Sequence, residues 1–544
     1  MAYEDDPPLS SLDAPHTPNI WIPGIIENVA RFVPQNDVAA SLRLVNKTSA
    51  ALLQDCVHIK LSQLVRQDVF YEHWSVLGVM RAYTLQQRKQ FVCLVVSSGS
   101  ICNLEVAITV AELSPGEDVF TAAAAAGHLD MCKWLVDRGF PKDLRYAFSR
   151  ASNGGHVEVC GWLLGQSEER SKLDLLERGC ADAAHSGHVA LIEWMLQRCH
   201  PLMNARDRAR GLPSEWNVGW LLKSVAHGCT LPVLQRLYSK WEELLPGEPW
   251  LGEWVLRDRR DAILAAAAGS PTPDWRAKVE WLEQLGFTCT DAASCQAVGL
   301  PDPDALERLQ WLRQRGCPLH EDAALHASFT GKLTALDYLL SEGVPRLRID
   351  QVEEVARGGH LAALQALHAR GWISKAARRD VFWVALEVGH VHVAAWCVEA
   401  LGCNVKPLLG RVGVKASLEV LTWLADQQGI RKWHCEWLTR AADGGCVAAV
   451  EWLMDRSCPR PNDGRPYFEA AFNGDLAMLR CLRRLGFPWG GKDAAFKHGW
   501  RRSLDPSVLQ WLREEGCDAH WFEVLESGNS GSSDSSGSSG SSSC

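Results

Sequence analysis

Apolar residues recur along this chain at helical spacing in short bursts, each closed by a glycine. In the first clear instance, Val119 to Ala126 is Ala-rich and predicts a thin helix that lets neighbours approach closely. Gly127 supplies the left-handed turn that ends it. The next stretch, Leu129 to Arg138, sets Cys132, Leu135 and Val136 on one face at i, i+3 and i+4. Gly139 closes it and Pro141 forbids its continuation, as Pro345, Pro459 and Pro488 do further on. Two such short helices cannot bury their apolar stripe alone, so neighbouring pairs must complete the core.

The pair repeats. Gly127-His128 precedes Trp134, Gly155-His156 precedes Trp162, and Gly187-His188 precedes Trp194, the aromatic lying seven residues after the glycine each time. The spacing returns at Gly331 and Tyr338, Gly389 and Trp396, and Gly445 and Trp452. Twelve residues separate Gly127 from Gly139, Gly331 from Gly343, Gly359 from Gly371, and Gly474 from Gly486. Followed through the chain, the aromatic slot marks thirteen units between 134 and 511, or about 31 residues per repeat. A weaker copy covers Phe91 to Ile108, with Gly99 in the glycine slot.

Ahead of the repeats the pattern changes. Ile22, Ile25, Ile26, Val29, Phe32 and Val33 form a helical stripe that opens at Pro23 and ends at Pro34. Asn36 or Asp37 can cap a second helix carrying Val38, Leu42 and Val45, and Lys47 to Leu53 predicts a third. A unit this small lacks a self-sufficient core, so some of its apolar surface must meet the array or a partner. The pattern divides the chain into residues 1–18, expected to be disordered, a head (19–54), a helical connector (55–90), the repeats (91–522) and a Ser/Gly-rich tail (523–544), also expected to be disordered.

Composition narrows the function classes. With 56 Lys+Arg against 65 Asp+Glu the net charge is −9, which leads to the expectation of no nucleic-acid partner. No run of about 18 apolar residues exists to cross a membrane, and none is expected as a partner. The nineteen cysteines are scattered singly without a C-x-x-C pair, so reduced thiols and a cytoplasmic or nuclear location are expected. Trp (24) outnumbers Phe and Tyr (14 and 7), and nine of the thirteen aromatic slots hold it, which reads as packing between repeats.

Candidate chemistry is sparse. Gly486 to Lys492 has the spacing of a phosphate-binding loop, but Asp493 stands where Ser or Thr must ligate Mg²⁺, and a repeat helix precedes it. His128, His156, His188, His360 and His390 occur one per unit and cannot converge on one metal. No catalytic motif appears, so no enzyme activity, cofactor, metal or small-molecule substrate is expected. The stretched region 200–260 carries Trp216, Trp220, Trp241, Trp250 and Trp254 beside the clusters Arg206–Arg210 and Arg257–Arg260. It is either a surface for a protein client or a broken repeat that packs its indoles inward.

Two resemblances attach to these residues. Gly127-His128, Met131-Cys132, Trp134-Leu135-Val136 and Gly139 resemble the second half of the ankyrin repeat, G-H-x-x-V-V-x-L-L-L-x-x-G, with Ala123-Ala124 where that family has A-A. Its opening T-P-L-H is absent. The resemblance implies an all-α, ankyrin-type helix-pair solenoid whose histidines bond backbone groups between repeats. The head resembles an F-box: Ile22-Pro23 matches L-P, Ile25-Ile26 the paired leucines, Asp37-Val38 the D-L, and Leu42-x-Leu44-Val45 the segment before a Trp that is missing here. This implies a substrate receptor of an SCF-type ubiquitin ligase. The head would dock a Skp-type adaptor, and through it a cullin, by Ile22, Pro23, Ile26, Val29, Val38, Leu42 and Val45, while the repeats grip a client. The alternative is a ligase-independent scaffold whose head only caps the solenoid.

Overall fold

The computed structural model describes residues 22–76, 78–114, 116–202, 218–241, 253–404, 417–490 and 504–517. Among them the regular elements are helices, with one isolated bridge between Leu113 and Asp475. Residues 1–18 and the tail 523–544 lie outside the described residues.

Short helices alternate in pairs: Leu85–Ser97 with Ile101–Ala111, Glu117–Ala125 with Leu129–Asp137, Leu144–Asn153 with Val157–Gln166, and so on to Arg465–Phe472 with Leu476–Arg484. Where both are described, the first helix of one pair packs on the first helix of the next. Fully buried alanines line that contact (Ala123, Ala124, Ala147, Ala151, Ala183, Ala184), and their small side chains allow the close approach. One apolar core runs unbroken from Val65 to Cys517. The chain is a helical-repeat solenoid.

Gly127 shows why the repeat needs glycine. It sits at φ +80°, and a Cβ there would lie 2.4 Å from the His156 ring of the next pair. The backbone turns so that His128 N–H reaches Ala123 O at 3.1 Å, returning a carbonyl bond to the end of the helix.

Several expectations shift. The array opens at Leu85 rather than Phe91, and Gly99 turns between its first two helices at φ +77°. The stretch 200–260, expected as one stretched repeat, contains the pair Val218–Gly228 and Leu231–Trp241, followed by Glu253–Ala268 packed on Trp275–Gln284. In the head, Asn36 does not cap the second helix, which begins after Pro34 without a side-chain cap bond. Asn46 caps the third, accepting from Ser49 N–H at 2.8 Å. The cysteines are not all free: Cys289 and Cys317 are disulfide-bonded, with Cα atoms 5.5 Å apart. Their separation of 28 residues is close to one repeat, so the stacking sets side by side two thiols that look isolated in sequence.

The solenoid also comes back to its own start. Leu85 N–H donates to Gly444 O (3.0 Å), Ala448 N–H to Arg81 O (2.9 Å), and Ser114 N–H to Gly474 O (2.9 Å). At the centre of this seam lie Arg88 (1% exposed) and Asp475 (0%), paired with each other. Arg88 also donates to Ala111 O (2.9 Å) and Gly445 O (2.8 Å), while Asp475 accepts from Met478 N–H (2.9 Å) at the start of helix Leu476–Arg484. Burial pushes the Asp475 carboxyl up from its ordinary range, and the Arg88 guanidinium pulls against that. Arg81–Glu451 and Arg480–Glu112 pairs flank it at the surface.

Because Arg88 is buried, Asp475→Ala leaves a charge without its counter-ion, which should cost about 3–5 kcal/mol. Urea denaturation should show that loss, and small-angle scattering should show a larger radius of gyration as the seam parts. An Arg88→Met/Asp475→Leu double variant, which buries no charge, should recover only part of the stability, because Ala111 O, Gly445 O and Met478 N–H stay without their partners.

Candidate functional site

The head's first helix, Pro23–Phe32, divides the stripe expected to lie on one face. Ile26 (1% exposed) turns inward and forms a small core with Val38 and Leu53, against which Val33 and Leu42 are partly packed. Ile22, Ile25, Val29 and Phe32 face outward, Phe32 being 89% exposed, and Leu44 and Val45 are exposed nearby in the sequence. Of the seven residues expected to dock an adaptor, Ile22, Pro23, Val29 and Val45 are therefore exposed. Ile26 and Val38 are interior, and Leu42 is half-buried. Ile25, Phe32 and Leu44, outside that set of seven, are exposed as well. For Ile25 and Phe32 the signal is in the sequence: the first helix carries more apolar residues than a three-residue core can cover.

Polar bonds tie the head to the array. Asn36, buried, donates to Lys60 O (2.9 Å), Leu64 O (3.1 Å) and Gln63 O (3.3 Å), and its carbonyl accepts from Lys60 N–H (2.8 Å). Next along the chain, Val65 O accepts from Asn103 Nδ2 at 2.8 Å. The connector's Val65, Phe70 and Met80 belong to the array's core, whereas the head's core is separate.

At several junctions of the array a side chain bonds the end of the preceding first helix, and four of the five expected histidines do so, His360 being the exception. His128 Nε2 bonds Ser97 O (2.9 Å), His156 bonds Ala125 O (3.0 Å), His188 bonds Asn153 O (2.9 Å) and His390 bonds Arg357 O (2.9 Å). Each acceptor is the last residue of its helix, where carbonyls lack intrahelical partners. Other residues do the same work where histidine is missing. Lys278 Nζ reaches Ala226 O (2.7 Å) and Cys229 O (2.8 Å), Arg308 reaches Ala268 O (2.7 Å), Lys332 bonds Val298 O, and Asn473 reaches Asp443 O (3.2 Å). A cation suits the negative end of a helix dipole. Burial pushes the Lys278 ammonium down to about 8.

The slot tryptophans 134, 194, 311 and 452 are half-buried against the core, and an arginine four residues on covers each. The guanidinium-to-ring distances are 4.6 Å at Arg138, 4.5 Å at Arg198, 4.8 Å at Arg315 and 3.7 Å at Arg456. Of the five tryptophans expected as a client surface, Trp220 is exposed on helix Val218–Gly228. Trp216, Trp250 and the side chains of Trp241 and Trp254 lie outside the described residues. Gly486 follows helix Leu476–Arg484 at φ +70°, a helix-ending turn, while Gly491 and Lys492 lie outside them too. Among the described residues no group of three or more His, Cys, Asp or Glu could hold a metal, and no helix is long and apolar enough to cross a membrane.

No known family profile matches the chain, and no curated protein sequence does. Among solved structures it is similar to the pentatricopeptide repeat protein PPR10. The structure of PPR10 with an 18-nt psaJ RNA element shows 11% identity over 94% of this chain and 87% of that one, with a TM-score of 0.26. The structure of PPR10 from maize shows 12% identity, covering 94% and 76%, with a TM-score of 0.25. The expectation that nucleic acid is excluded is corrected here, since solved structures similar to this chain include RNA complexes. Net charge is a whole-chain sum and does not report the potential inside one groove.

His185 and His227 stack with ring centroids 4.0 Å apart, and burial first, then His185 and Lys278, push His227 down to about 4. The unfolded chain therefore binds more protons than the folded one between about pH 6.5 and 4. His227's contribution is complete above that window and is lost as pH falls through it. The urea midpoint should fall as the pH is lowered from about 6.5 towards 4. His227→Leu, which also removes the unbonded buried Nδ1, should flatten that dependence.

Proposed function

We propose that this chain is a non-catalytic substrate receptor: an F-box-like head that docks a Skp-type adaptor of a cullin ligase, and an ankyrin-type array that holds a protein client. Its contribution would be proximity, bringing client lysines near a charged ubiquitin-conjugating enzyme, with no bond chemistry of its own. It would work in the cytoplasm or nucleus. The observation that carries this reading is the outward apolar face of Ile22, Ile25, Val29 and Phe32 on one short helix. An apolar helix face left open beside a satisfied core is a surface for a partner.

The alternative, a head that only caps the solenoid, is less favoured by the same geometry. Helix Gln67–Trp74 of the connector already packs on the array's first pair, and Phe70 lies in the array's core. The head's own three-residue core stands apart from it.

Substitutions at Ile26 or Val38 would unfold the head and leave the two readings unresolved, because both are interior. Val29→Asp/Phe32→Asp changes exposed positions and should leave thermal unfolding nearly unchanged. Wild type should retain a Skp-type adaptor on co-purification, and the variant should lose at least tenfold of it. Equal recovery from both, or none from either, would sink the receptor reading and leave the cap.

A further inference from the structure

The closed seam creates a cleft that neither end of the array has alone. Its volume is about 610 Å³, within the range of built binding sites. Val92, Ile108 and Phe140 come from the first pairs, and Phe472 from the end of helix Arg465–Phe472, so residues more than 330 positions apart share one apolar lining. Phe472 is 51% exposed, a large aromatic left partly in solvent at the cleft. Burying it under a ligand would remove apolar surface from water.

Among the described residues the charge around that lining is one-sided. Glu117 and Asp118, in the first turn of helix Glu117–Ala125, and Asp505, ahead of helix Pro506–Glu514, bring three carboxylates against the single ammonium of Lys89. Asp505 also bonds Ser507 N–H at 2.8 Å, which holds it in place. A phosphate backbone would meet like charge at this rim, whereas lysine or arginine would meet opposite charge.

We propose that the seam cleft receives an extended segment of another protein in which an apolar side chain is flanked by lysine or arginine. The apolar group would lie against Phe472 and Phe140 and the basic groups against Glu117 and Asp118. This deepens the receptor reading by giving the chemistry of the client, and its test uses the full chain without any adaptor, so the two can fail separately.

Phage-displayed random dodecapeptides would be selected on the full-length wild type and counter-selected on a Glu117→Arg/Phe472→Ser variant. Both positions are exposed, and circular dichroism melts check that the variant stays folded. The expected result is enrichment of sequences with a net positive charge and an apolar residue. By fluorescence polarisation, synthetic copies should bind wild type at least tenfold tighter than the double variant. Glu117→Gln, which keeps the shape, should lose severalfold. No enrichment, enrichment of acidic or uncharged sequences, or equal affinity for wild type and variant would overturn the proposal. A fluorescein-labelled 18-nucleotide single-stranded RNA is the third probe. Displacement of bound peptide by that RNA would assign the cleft to nucleic acid and overturn it as well.

Discussion

A helix of nine or ten residues ends with carbonyls that have no partner inside the helix, and stacking such helices hides several of those ends from water. The array meets this constraint at several junctions with a side chain from the following repeat, so that packing there is joined by a directed polar bond. His128, His156, His188 and His390 do so with imidazole, and Lys278, Arg308 and Lys332 with a cation. Arg88 is the same device used across the seam, where its guanidinium reaches Gly445 O just past the end of helix Glu436–Asp443. Removing these side chains would leave carbonyls unpaired at those junctions, a cost that arises separately at each.

Closure changes what a solenoid is. In an open array each repeat answers only to its neighbours, and stability is close to a sum of local terms. Here the pair beginning at Leu85 also answers to the pairs beginning at Glu436 and Arg465, through the buried Arg88–Asp475 pair and four backbone bonds. A buried ion pair is a poor source of net stability but a demanding one geometrically, because either charge alone is costly. That demand fixes where the two ends meet, and so fixes the cleft between Phe140 and Phe472. Gly445, at φ +68°, admits the contact: a Cβ there would lie 2.5 Å from Leu85 Cβ.

The head follows a different logic. Its core is three residues, too few to hold an independent domain, and it borrows rigidity from Asn36, which bonds four backbone groups of the connector. Val65 then passes the linkage to Asn103 of the array. If the head and the array each hold a partner, as proposed, a stiff joint of this kind would set the distance between the two.

The sequence by itself determined the repeat. Glycine at left-handed turns, alanine where helices touch and an aromatic seven residues on are local requirements, legible at Gly127, Ala123 and Trp134 without coordinates. It also marked the head as an apolar unit too small to stand alone. Sequence could not say which side of helix Pro23–Phe32 would face inward, because Ile25 and Ile26 are alike in chemistry and differ only in what packs against them. Nor could it show that Lys278 and Arg308 do the work of histidine, since the acceptor lies 52 and 40 residues away and no fixed spacing announces it. The disulfide between Cys289 and Cys317 and the seam between Arg88 and Asp475 are of the same kind. Periodicity dictates each turn of a solenoid, but small rotations summed over many repeats decide which distant turns meet.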